Sequence, residues 1–401
     1  MRIVHVYKDY HPPVLGGIEQ TLERMARWQV RAGHDVTVIV TASGERRSRT
    51  ETVDGVRVVR VGEWGRALSS PICPGFPAAI ARARADLWHL HSPNPLGEGS
   101  FFLASPRGAM VFTYYCDLSR QKALLPVYGP LVHALFRRAD VLHAIAPQAL
   151  ERADSLVFPF RDRFNVVPLG LDAERFLALE RDRPGARALR ERFGDPYLLF
   201  VGRLRHYKGL HVLLDAMPRV PARLVIVGEG PKGAELRAQA RRLEVADRVH
   251  FAGSVDDATL LDHLAAAGIG LLPSSTPTEA FGLAMIEAMA SGLPVISTEL
   301  GTGTSYVNED GVTGLIVPAN DPDALASGIG RLLADPGLRG RMGAAGRIRV
   351  RENFTTEAMM RGMDRLYAEA LGRAVSRAPH PAPDLPGSQE NKVKDSPDPR
   401  R

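Results

Sequence analysis

The segment PTEAFGLAMIEAMASGLPVI, residues 277–296, reads as a loop, a helix and a buried strand in succession. Apolar residues at helical spacing begin near Phe281 and Gly282, Gly292 is placed to end the helix, and an apolar run follows Pro294. The same succession of short apolar strand and helix recurs along most of the chain. Continuous apolar strands that alternate with helices predict parallel sheets that are covered by helices on both faces.

Two sets of such strands are separated by a polar connection around residues 168–176. The first set is predicted at 3–7, 35–40, 56–61, 87–91, 109–114, 141–146 and 165–168. The second set is predicted at 197–201, 224–227, 249–251, 269–273, 294–297 and 315–317. We therefore expect an α/β fold of two doubly wound, Rossmann-like domains, over 1–170 and 180–352, with a cleft at the carboxyl ends of their strands.

Composition narrows the class of protein. The chain has 401 residues, of which 45% are hydrophobic, so it can bury sizeable cores and is not a disordered chain. Its two cysteines exclude a disulfide scaffold and a zinc site made of cysteines alone, and they fit a reducing compartment. No apolar run approaches the ~20 residues of a membrane helix, and the N-terminus reads as a strand rather than a signal peptide. We expect a cytoplasmic protein with a disordered tail over the Pro- and Ser-rich residues 374–401.

The positive charge is concentrated in the N-terminal part. Residues 1–150 hold 18 Lys and Arg against 12 Asp and Glu, whereas the whole chain holds 51 against 45, so this part carries the formal excess of +6. One interpretation is a solvated basic surface. The other is attraction to anionic lipid head groups or to a phosphate-bearing ligand. Nucleic acid is not favoured as a partner, because no helix-turn-helix, RRM or zinc-finger pattern is present.

Two glutamates frame the opening segment. Glu279 precedes the predicted helix, where backbone N–H groups and the helix dipole favour an anion. Glu287 lies about two turns into the helix, ~9 Å from its start at 1.5 Å per residue. This spacing suits the grip of two carboxylates on the two ends of an elongated ligand. The alternative is one glutamate at a helix start and another on the surface.

Basic residues and glycines follow other predicted strands. Arg203 and Lys208 come after the first strand of the second domain, where an Arg fork and a Lys point charge suit a diphosphate; otherwise they are solvated surface cations. Gly16 and Gly17 allow the backbone to approach a phosphate or a sugar closely, although a simple turn uses the same residues. They do not form the dinucleotide-binding fingerprint. The loop that carries Val255 is placed to contact a nucleobase through its backbone.

Evidence for a metal site is thin in the sequence. His89 and His91 lie on the same face of a predicted strand, but no cluster of Cys, Asp or Glu completes a ligand set beside them. Packing in the core or at the cleft is therefore the favoured interpretation of the two histidines, and no metal ion is expected.

Together, these motifs resemble a GT-B glycosyltransferase of the large retaining family 4, the "glycosyl transferases group 1", over about residues 1–370. Finer features are similar to bacterial mannosyltransferases of O-antigen and exopolysaccharide assembly. The resemblance is carried by Gly16-Gly17, 89–96, 117–122, Gly202-Arg203-Leu204, Lys208-Gly209, 228–230, Glu279 with Glu287, 300–308 and 311–317.

The resemblance implies a role for each matched residue. Arg203 and Lys208 would hold the donor diphosphate and stabilise its departing charge. Glu279 would contact hydroxyls of the transferred sugar, and Glu287 would bind the ribose. Other donor contacts are implied for Gly16, Gly17, Val255, Phe281, Gly282 and Leu283. The resemblance further implies retention without a protein nucleophile, no metal and no cofactor besides the donor. A C-terminal helix at about 355–371 would cross back to the first domain, and domain closure would assemble the site.

One position departs from the family pattern. In this subgroup an aromatic residue, a histidine and a serine precede the aspartate that matches Asp117, whereas here the order is Tyr114-Tyr115-Cys116. The family histidine, which usually touches the transferred sugar, therefore falls on Tyr115. A tyrosine can still donate a hydrogen bond, but it is larger and has a pKa near 10. Asp117 and Tyr115 are nevertheless expected in the catalytic set with Glu279, Arg203 and Lys208.

The leading hypothesis is transfer of a hexose from a nucleotide-diphosphate sugar, with GDP-mannose as the first choice. The acceptor would be a glycan or a polyprenyl-diphosphate-linked oligosaccharide, and the basic N-terminal domain would contact an anionic membrane peripherally. One alternative is a binding or scaffold protein with a degenerate site at Tyr115. Another is a nucleotide-sugar epimerase, which would need a second set of acid and base carboxylates that the sequence does not supply.

Overall fold

The computed structural model describes residues 1–14, 16–67, 70–116, 125–152 and 155–377. Its strands are β1 (Arg2–Val6), β2 (Asp35–Thr41), β3 (Arg49–Val53), β4 (Val56–Val61), β5 (Gly65–Ala67), β6 (Ser70–Ile72), β7 (Leu87–Ser92), β8 (Ala109–Tyr114), β9 (Val141–Ala144), β10 (Phe164–Val166), β11 (Leu198–Val201), β12 (Leu224–Val227), β13 (Val249–Gly253), β14 (Ile269–Leu272), β15 (Val295–Glu299) and β16 (Gly314–Pro318).

The helices are α1 (Gly17–Arg31), α2 (Phe76–Arg82), α3 (Pro95–Ala104), α4 (Leu125–Arg138), α5 (Gln148–Glu151), α6 (Glu174–Leu177), α7 (Pro184–Phe193), α8 (Leu210–Ala216), α9 (Gly233–Arg242), α10 (Asp257–Ala266), α11 (Leu283–Ala290), α12 (Thr304–Val307), α13 (Pro322–Ala334), α14 (Pro336–Asn353) and α15 (Thr356–Arg377). Short 3-10 helices span Phe158–Arg163, His206–Lys208 and Met217–Arg219. Several helix starts are capped by a side chain that accepts a hydrogen bond from the first turn, namely Asn94, Asp256, Asp321 and Asp335.

The strands form two large sheets. The first has the order β10-β9-β8-β7-β1-β2-β4-β3, and all its pairs are parallel except β3 with β4. The second has the order β13-β12-β11-β14-β15-β16 and is parallel throughout. In each sheet the chain runs outward to one side and then returns to the other, so that β1 adjoins β7 and β11 adjoins β14. These two positions are the topological switch points, where open α/β sheets bind ligands.

The expected fold class is confirmed, because both sheets are doubly wound. The central strands β7 and β8 are buried at every residue, which explains why their apolar runs are continuous. The prediction did not include β3, β5 and β6. β3 is an antiparallel edge strand whose residues alternate between half-buried and exposed, so it has no continuous apolar run. The strands of the first sheet lie within residues 2–166 and those of the second within 198–318, while the domain limits 1–170 and 180–352 remain predictions.

The C-terminal helix α15 packs against the first sheet, and its predicted end is wrong. Tyr367 on this helix hydrogen-bonds to His89 of β7, and Gly362 lies directly against Val167, beyond the end of β10. The helix continues to Arg377 rather than ending near 371, so residues 374–377 are helical and do not belong to a disordered tail. The physical reason is that residues 372–377 contain no proline, and a helix can continue through them. The rest of the predicted tail, 378–401, lies outside the described residues. Among the described helices, none combines the length and the apolar character that a bilayer crossing requires.

We expect Met363→Ala to lower the free energy of unfolding by about 2–5 kcal/mol, because it leaves a cavity in the core where α15 meets the first sheet. Met363 is fully buried in the same cluster as Val111 and Val141. The matched control is Val375→Ala on the same helix, where the side chain is 76% exposed and the change should stay within about 0.5 kcal/mol. Denaturant unfolding of both variants measures the difference, and equal effects would contradict this packing.

Candidate functional site

The two switch points face each other across a cleft. Gly17, the first residue of α1, follows β1, and Leu283, the first residue of α11, follows β14. A Cβ atom built on Gly17 would lie 3.6 Å from Leu283 Cδ1, so the two helix starts are in close approach. Gly303 of the second domain likewise lies against Ala146 of the first. The structure thus brings together residues that the sequence predicted on both sides of one ligand.

A buried ion pair lies at the switch point of the second domain. Lys208 Nζ is 2.5 Å from Glu279 Oε2, and the two residues are 9% and 8% exposed. The hydroxyl of Ser274 donates a hydrogen bond of 3.0 Å to the same carboxylate oxygen. The sequence predicted that a helix N-terminus would stabilise Glu279. The structure instead shows its charge paired with Lys208, and α11 begins only at Leu283.

Lys208 reaches Glu279 because of the residue that follows it. Gly209 has a φ of +68°, in the left-handed region, and a Cβ atom there would collide with the carbonyl oxygen of Pro273. The 3-10 turn that ends at Lys208 can therefore press against the end of β14. The backbone N–H of Ser275 donates to the carbonyl of Tyr207 at 2.8 Å and holds the two loops together.

Burial and neighbouring charges change the pKa of two charged side chains at the site, Lys208 and Glu287. Burial acts to lower the pKa of Lys208, but Glu279, Tyr207 and Glu287 together outweigh it, so the pKa lies above its ordinary value. Burial raises the pKa of Glu287, and the positive charges of Arg175 and Arg24 act against this rise. Glu287 is half-buried, and no hydrogen bond or ion pair to its carboxylate occurs in the described part of the chain. Its oxygens are therefore available to a ligand.

Three of the predicted loops line one cavity of about 560 Å³. Arg203 follows β11, residues 228–230 follow β12 and Val255 follows β13, and all of them face this space. Arg203 is exposed, and its guanidinium makes no ion pair with any described residue. An unpaired cation and several backbone groups at adjoining strand ends suit a phosphate joined to a larger polar group.

A second cavity, of about 670 Å³, opens between the domains. Tyr115 and Cys116 line it from the first domain, and Tyr207, Thr278 and Thr302 line it from the second. The hydroxyl of Tyr115 is 2.9 Å from His91 Nδ1. The predicted site residue Asp117 lies outside the described residues.

Sequence reasoning missed several polar side chains that surround the site. Ser274 gives no signal in the sequence, because it acts through one contact with the Glu279 carboxylate. Thr302 lies in the segment 300–308 that carries the resemblance, but the sequence did not assign it the hydrogen bond that its hydroxyl donates to the Glu279 carbonyl. His5 could have been found from the strand pairing, since β1 and β7 place it beside His89. One ring nitrogen from each of His5, His89 and His91 lies within 4.8 Å of the other two, which is close enough for a shared metal ion. Each of them, however, already has a hydrogen-bond partner in the protein.

Two doubly wound domains that face each other across a cleft define the GT-B class of fold. Solved structures of this class match over most of the chain. Sucrose-phosphate synthase of Thermosynechococcus elongatus has a TM-score of 0.76 and 25% identity, and covers 92% of this chain and 99% of its own. The Anabaena protein HepE, in complex with UDP, has a TM-score of 0.72 and 20% identity, and covers 92% of this chain and 100% of its own.

Sequence comparison narrows the class to a family. The family model described as "Glycosyl transferases group 1" matches residues 186–349. The family model described as "Glycosyl transferase 4-like domain" matches residues 16–170. The D-rhamnosyltransferase WbpZ of Pseudomonas aeruginosa is 35% identical over 364 residues, which cover 88% of this chain and 92% of the relative. The O-antigen chain mannosyltransferase C of Escherichia coli is 32% identical over 373 residues, which cover 92% of this chain and 99% of the relative. The chain therefore belongs to the glycosyl transferases group 1, and it is a glycosyltransferase.

We expect Lys208→Met to lower the free energy of unfolding by about 3–5 kcal/mol, because it leaves the Glu279 carboxylate buried without a counter-charge. Adding Glu279→Gln to this variant should restore part of the loss, since the unpaired charge is then gone. Denaturant unfolding of the two single variants and the double variant measures the coupling.

The matched control for this cycle is Lys232→Met. Lys232 forms an ion pair of 2.6 Å with Glu235, but the two side chains are 37% and 67% exposed, so a much smaller change is expected. If Lys208→Met and Lys232→Met lower the free energy of unfolding equally, burial does not strengthen the Lys208–Glu279 pair and this prediction is wrong.

Proposed function

We propose that this glycosyltransferase moves a hexose, with mannose as the first choice, from a nucleotide-diphosphate sugar to a glycan or polyprenyl-diphosphate-linked acceptor in the synthesis of a cell-surface polysaccharide. The observation that carries the proposal is the Lys208–Glu279 pair beside the cavity that Arg203 lines. The relatives named as a D-rhamnosyltransferase and an O-antigen chain mannosyltransferase support the class of sugar and of product. GDP-mannose is therefore the first donor to test.

The charges at the site suit the parts of such a donor. Arg203 has no carboxylate partner among the described residues and can form a fork with the diphosphate. Lys208 adds a second positive charge where the phosphate joins the sugar, and together they stabilise the departing diphosphate. We propose that these two cations serve in place of a metal ion and that no cofactor besides the donor is needed. The available carboxylate of Glu287 suits the ribose hydroxyls.

Glu279 is better suited to hold the sugar than to attack it. One of its oxygens already accepts from Lys208 and Ser274, which lowers the nucleophilicity of the carboxylate and orients it. Its other oxygen can accept hydrogen bonds from sugar hydroxyls. We therefore propose transfer with retention in which the acceptor hydroxyl attacks the same face of the sugar that the diphosphate leaves, and no protein nucleophile takes part.

The place of action follows from the acceptor and from charge. The positive excess of residues 1–150 suits a cytoplasmic enzyme that contacts the anionic inner face of the membrane peripherally, where a polyprenyl-diphosphate acceptor would lie.

Tyr115 supports a second candidate, a GT-B binding protein without turnover, because the residue stands where the family has a histidine.

We expect Arg203→Ala to weaken the binding of free GDP about 10- to 100-fold, because a hydrogen-bonded charge contact is worth about 1.5–3 kcal/mol. Calorimetric titration of the full chain measures the dissociation constant, with UDP, ADP and dTDP as competing nucleotides. The control is Arg242→Ala, an exposed residue of α9 in the same domain, which should bind GDP as the parent does. If both variants bind alike, Arg203 does not hold the diphosphate.

We expect the purified protein to transfer mannose from GDP-mannose to a lipid-linked acceptor, and Glu279→Gln to reduce kcat/KM by tenfold or more, because the neutral amide accepts sugar hydroxyls less strongly. A rate assay with GDP-mannose and GDP-D-rhamnose measures both points.

The Tyr115→His variant separates the two candidate functions. If the parent binds a donor but is inactive and this variant transfers sugar, the protein is a binding protein and the proposed enzyme is wrong.

A further inference from the structure

A row of buried polar side chains crosses the first sheet beneath the cleft. His5 of β1 is paired with His89 of β7, and His91 of the same strand is paired with Thr113 of β8. Thr113 is in turn paired with His143 of β9. All of these side chains are fully buried, so each polar atom needs a partner within the protein.

The direction of every hydrogen bond in this row follows from one end. The carbonyl oxygen of Val167 can only accept, so His143 Nε2, at 2.8 Å, must carry the proton. His143 Nδ1 is then an acceptor, and the hydroxyl of Thr113 donates to it at 2.8 Å. Since that hydroxyl has a single proton, its oxygen accepts from His89 Nε2 at 2.6 Å.

The row of hydrogen bonds continues through the C-terminal helix. His89 Nδ1 is an acceptor, and the hydroxyl of Tyr367 on α15 donates to it at 2.8 Å. The oxygen of Tyr367 accepts from the amide nitrogen of Gln29 on α1 at 3.0 Å. The amide oxygen of Gln29 accepts from His5 Nε2 at 2.7 Å.

The last two bonds lead to the cleft. His5 Nδ1 accepts from His91 Nε2 at 3.0 Å, and His91 Nδ1 accepts from the hydroxyl of Tyr115 at 2.9 Å. The chain requires every imidazole to be neutral. Burial lowers the pKa of His5 and of His143 to about 4, and it lowers the pKa of His89 and His91 as well. At pH 7 each ring therefore carries one proton, and in all four rings the chain places it on Nε2.

We propose that this one-way chain commits the Tyr115 proton to His91, so that Tyr115 offers a ligand in the cleft only the lone pairs of its oxygen. Tyr115 is then a specificity-determining acceptor that selects a free hydroxyl and disfavours a carboxylate, a phosphate or an ether at that point. Tyr367 is the positioning residue, because it joins the two halves of the chain. The part that concerns a sugar rests on the proposed function, and it differs from the expectation that Tyr115 can donate a hydrogen bond to a ligand.

Two observations support an acceptor role at the cleft. Tyr115 is one of the residues that line the cavity between the domains. Its oxygen has no donor within the part of the chain that the structure describes, while its proton already has an acceptor. Tyr115 is 2% exposed, so only a group that enters this cavity closely can reach its oxygen. A ligand hydroxyl there would meet unpaired lone pairs, and an oxygen without a proton would meet repulsion.

The test is nitrogen NMR of the full chain with 15N-labelled histidine, because the 15N shift separates a nitrogen that bears a proton from one that does not. Signals are assigned from single His→Gln variants. We expect His5, His89, His91 and His143 all to be neutral and protonated at Nε2 at pH 7. A proton on Nδ1 of any of the four, or a doubly protonated ring, overturns the proposal.

Cutting the chain at Tyr367 tests its direction. In Tyr367→Phe we expect His143 to keep its proton on Nε2, because Val167 still holds it, whereas His5 and His91 become mixtures of both tautomers. Gln29→Leu cuts the neighbouring link, so the test stands even if one variant does not fold. The matched control is Tyr197→Phe, which removes a buried hydroxyl beside His263 in the second domain and should leave all four rings unchanged. Unchanged tautomers in both cut variants overturn the positioning role.

Two further readouts separate the competing explanations. Added Zn²⁺ should leave the four rings unaltered, and a stoichiometric shift of His5, His89 and His91 together would show a metal site instead of a chain.

Tyr115→Phe and Tyr367→Phe should bind free GDP as the parent does, while kcat/KM for sugar transfer falls about fivefold, the effect of one hydrogen bond. If the parent transfers no sugar, the proposed function fails, yet the tautomers still decide the chain. Unchanged transfer by both variants overturns the acceptor role.

Discussion

The ion pair between Lys208 and Glu279 is the interaction on which the geometry of the cleft depends. A carboxylate that is about one-tenth exposed needs a positive partner, because desolvation otherwise disfavours its charge. Lys208 can supply that charge only because Gly209 takes a left-handed conformation and lets the turn approach the end of β14. The loops after β11 and β14 are thereby joined at the switch point.

The charged side chains along the cleft come from several separate segments of the chain. Lys208 is paired with one oxygen of Glu279, Arg203 stays without a carboxylate partner in the described chain, and Glu287 lies half-buried near the positive charges of Arg24 and Arg175. Acceptors for hydroxyls therefore alternate with cations for phosphates along the cleft. An elongated ligand with a sugar, a diphosphate and a nucleoside has the same alternation, which is the physical basis for the proposed donor.

The first domain contributes a different constraint. Its core holds a row of histidines and hydroxyls that are tolerated there because each has a partner. The chain closes only when α15, which follows the second domain in the sequence, supplies Tyr367. The helix that ties the two domains together thus also completes the polar network that ends at Tyr115.

The sequence by itself determined the fold class and placed several candidate site residues directly after apolar strands. Continuous apolar strands and the positions of Arg203, Lys208 and Glu279 after them follow from local periodicity, which tertiary contacts do not alter. β3 was missed because an edge strand alternates, and α15 was predicted too short because composition does not mark where a helix stops. Only the tertiary structure decided that Lys208 pairs with Glu279 and that Tyr115 ends a chain through His5 and Tyr367. Those contacts join residues far apart in sequence, and their direction depends on which atoms the folded sheet brings within hydrogen-bond distance.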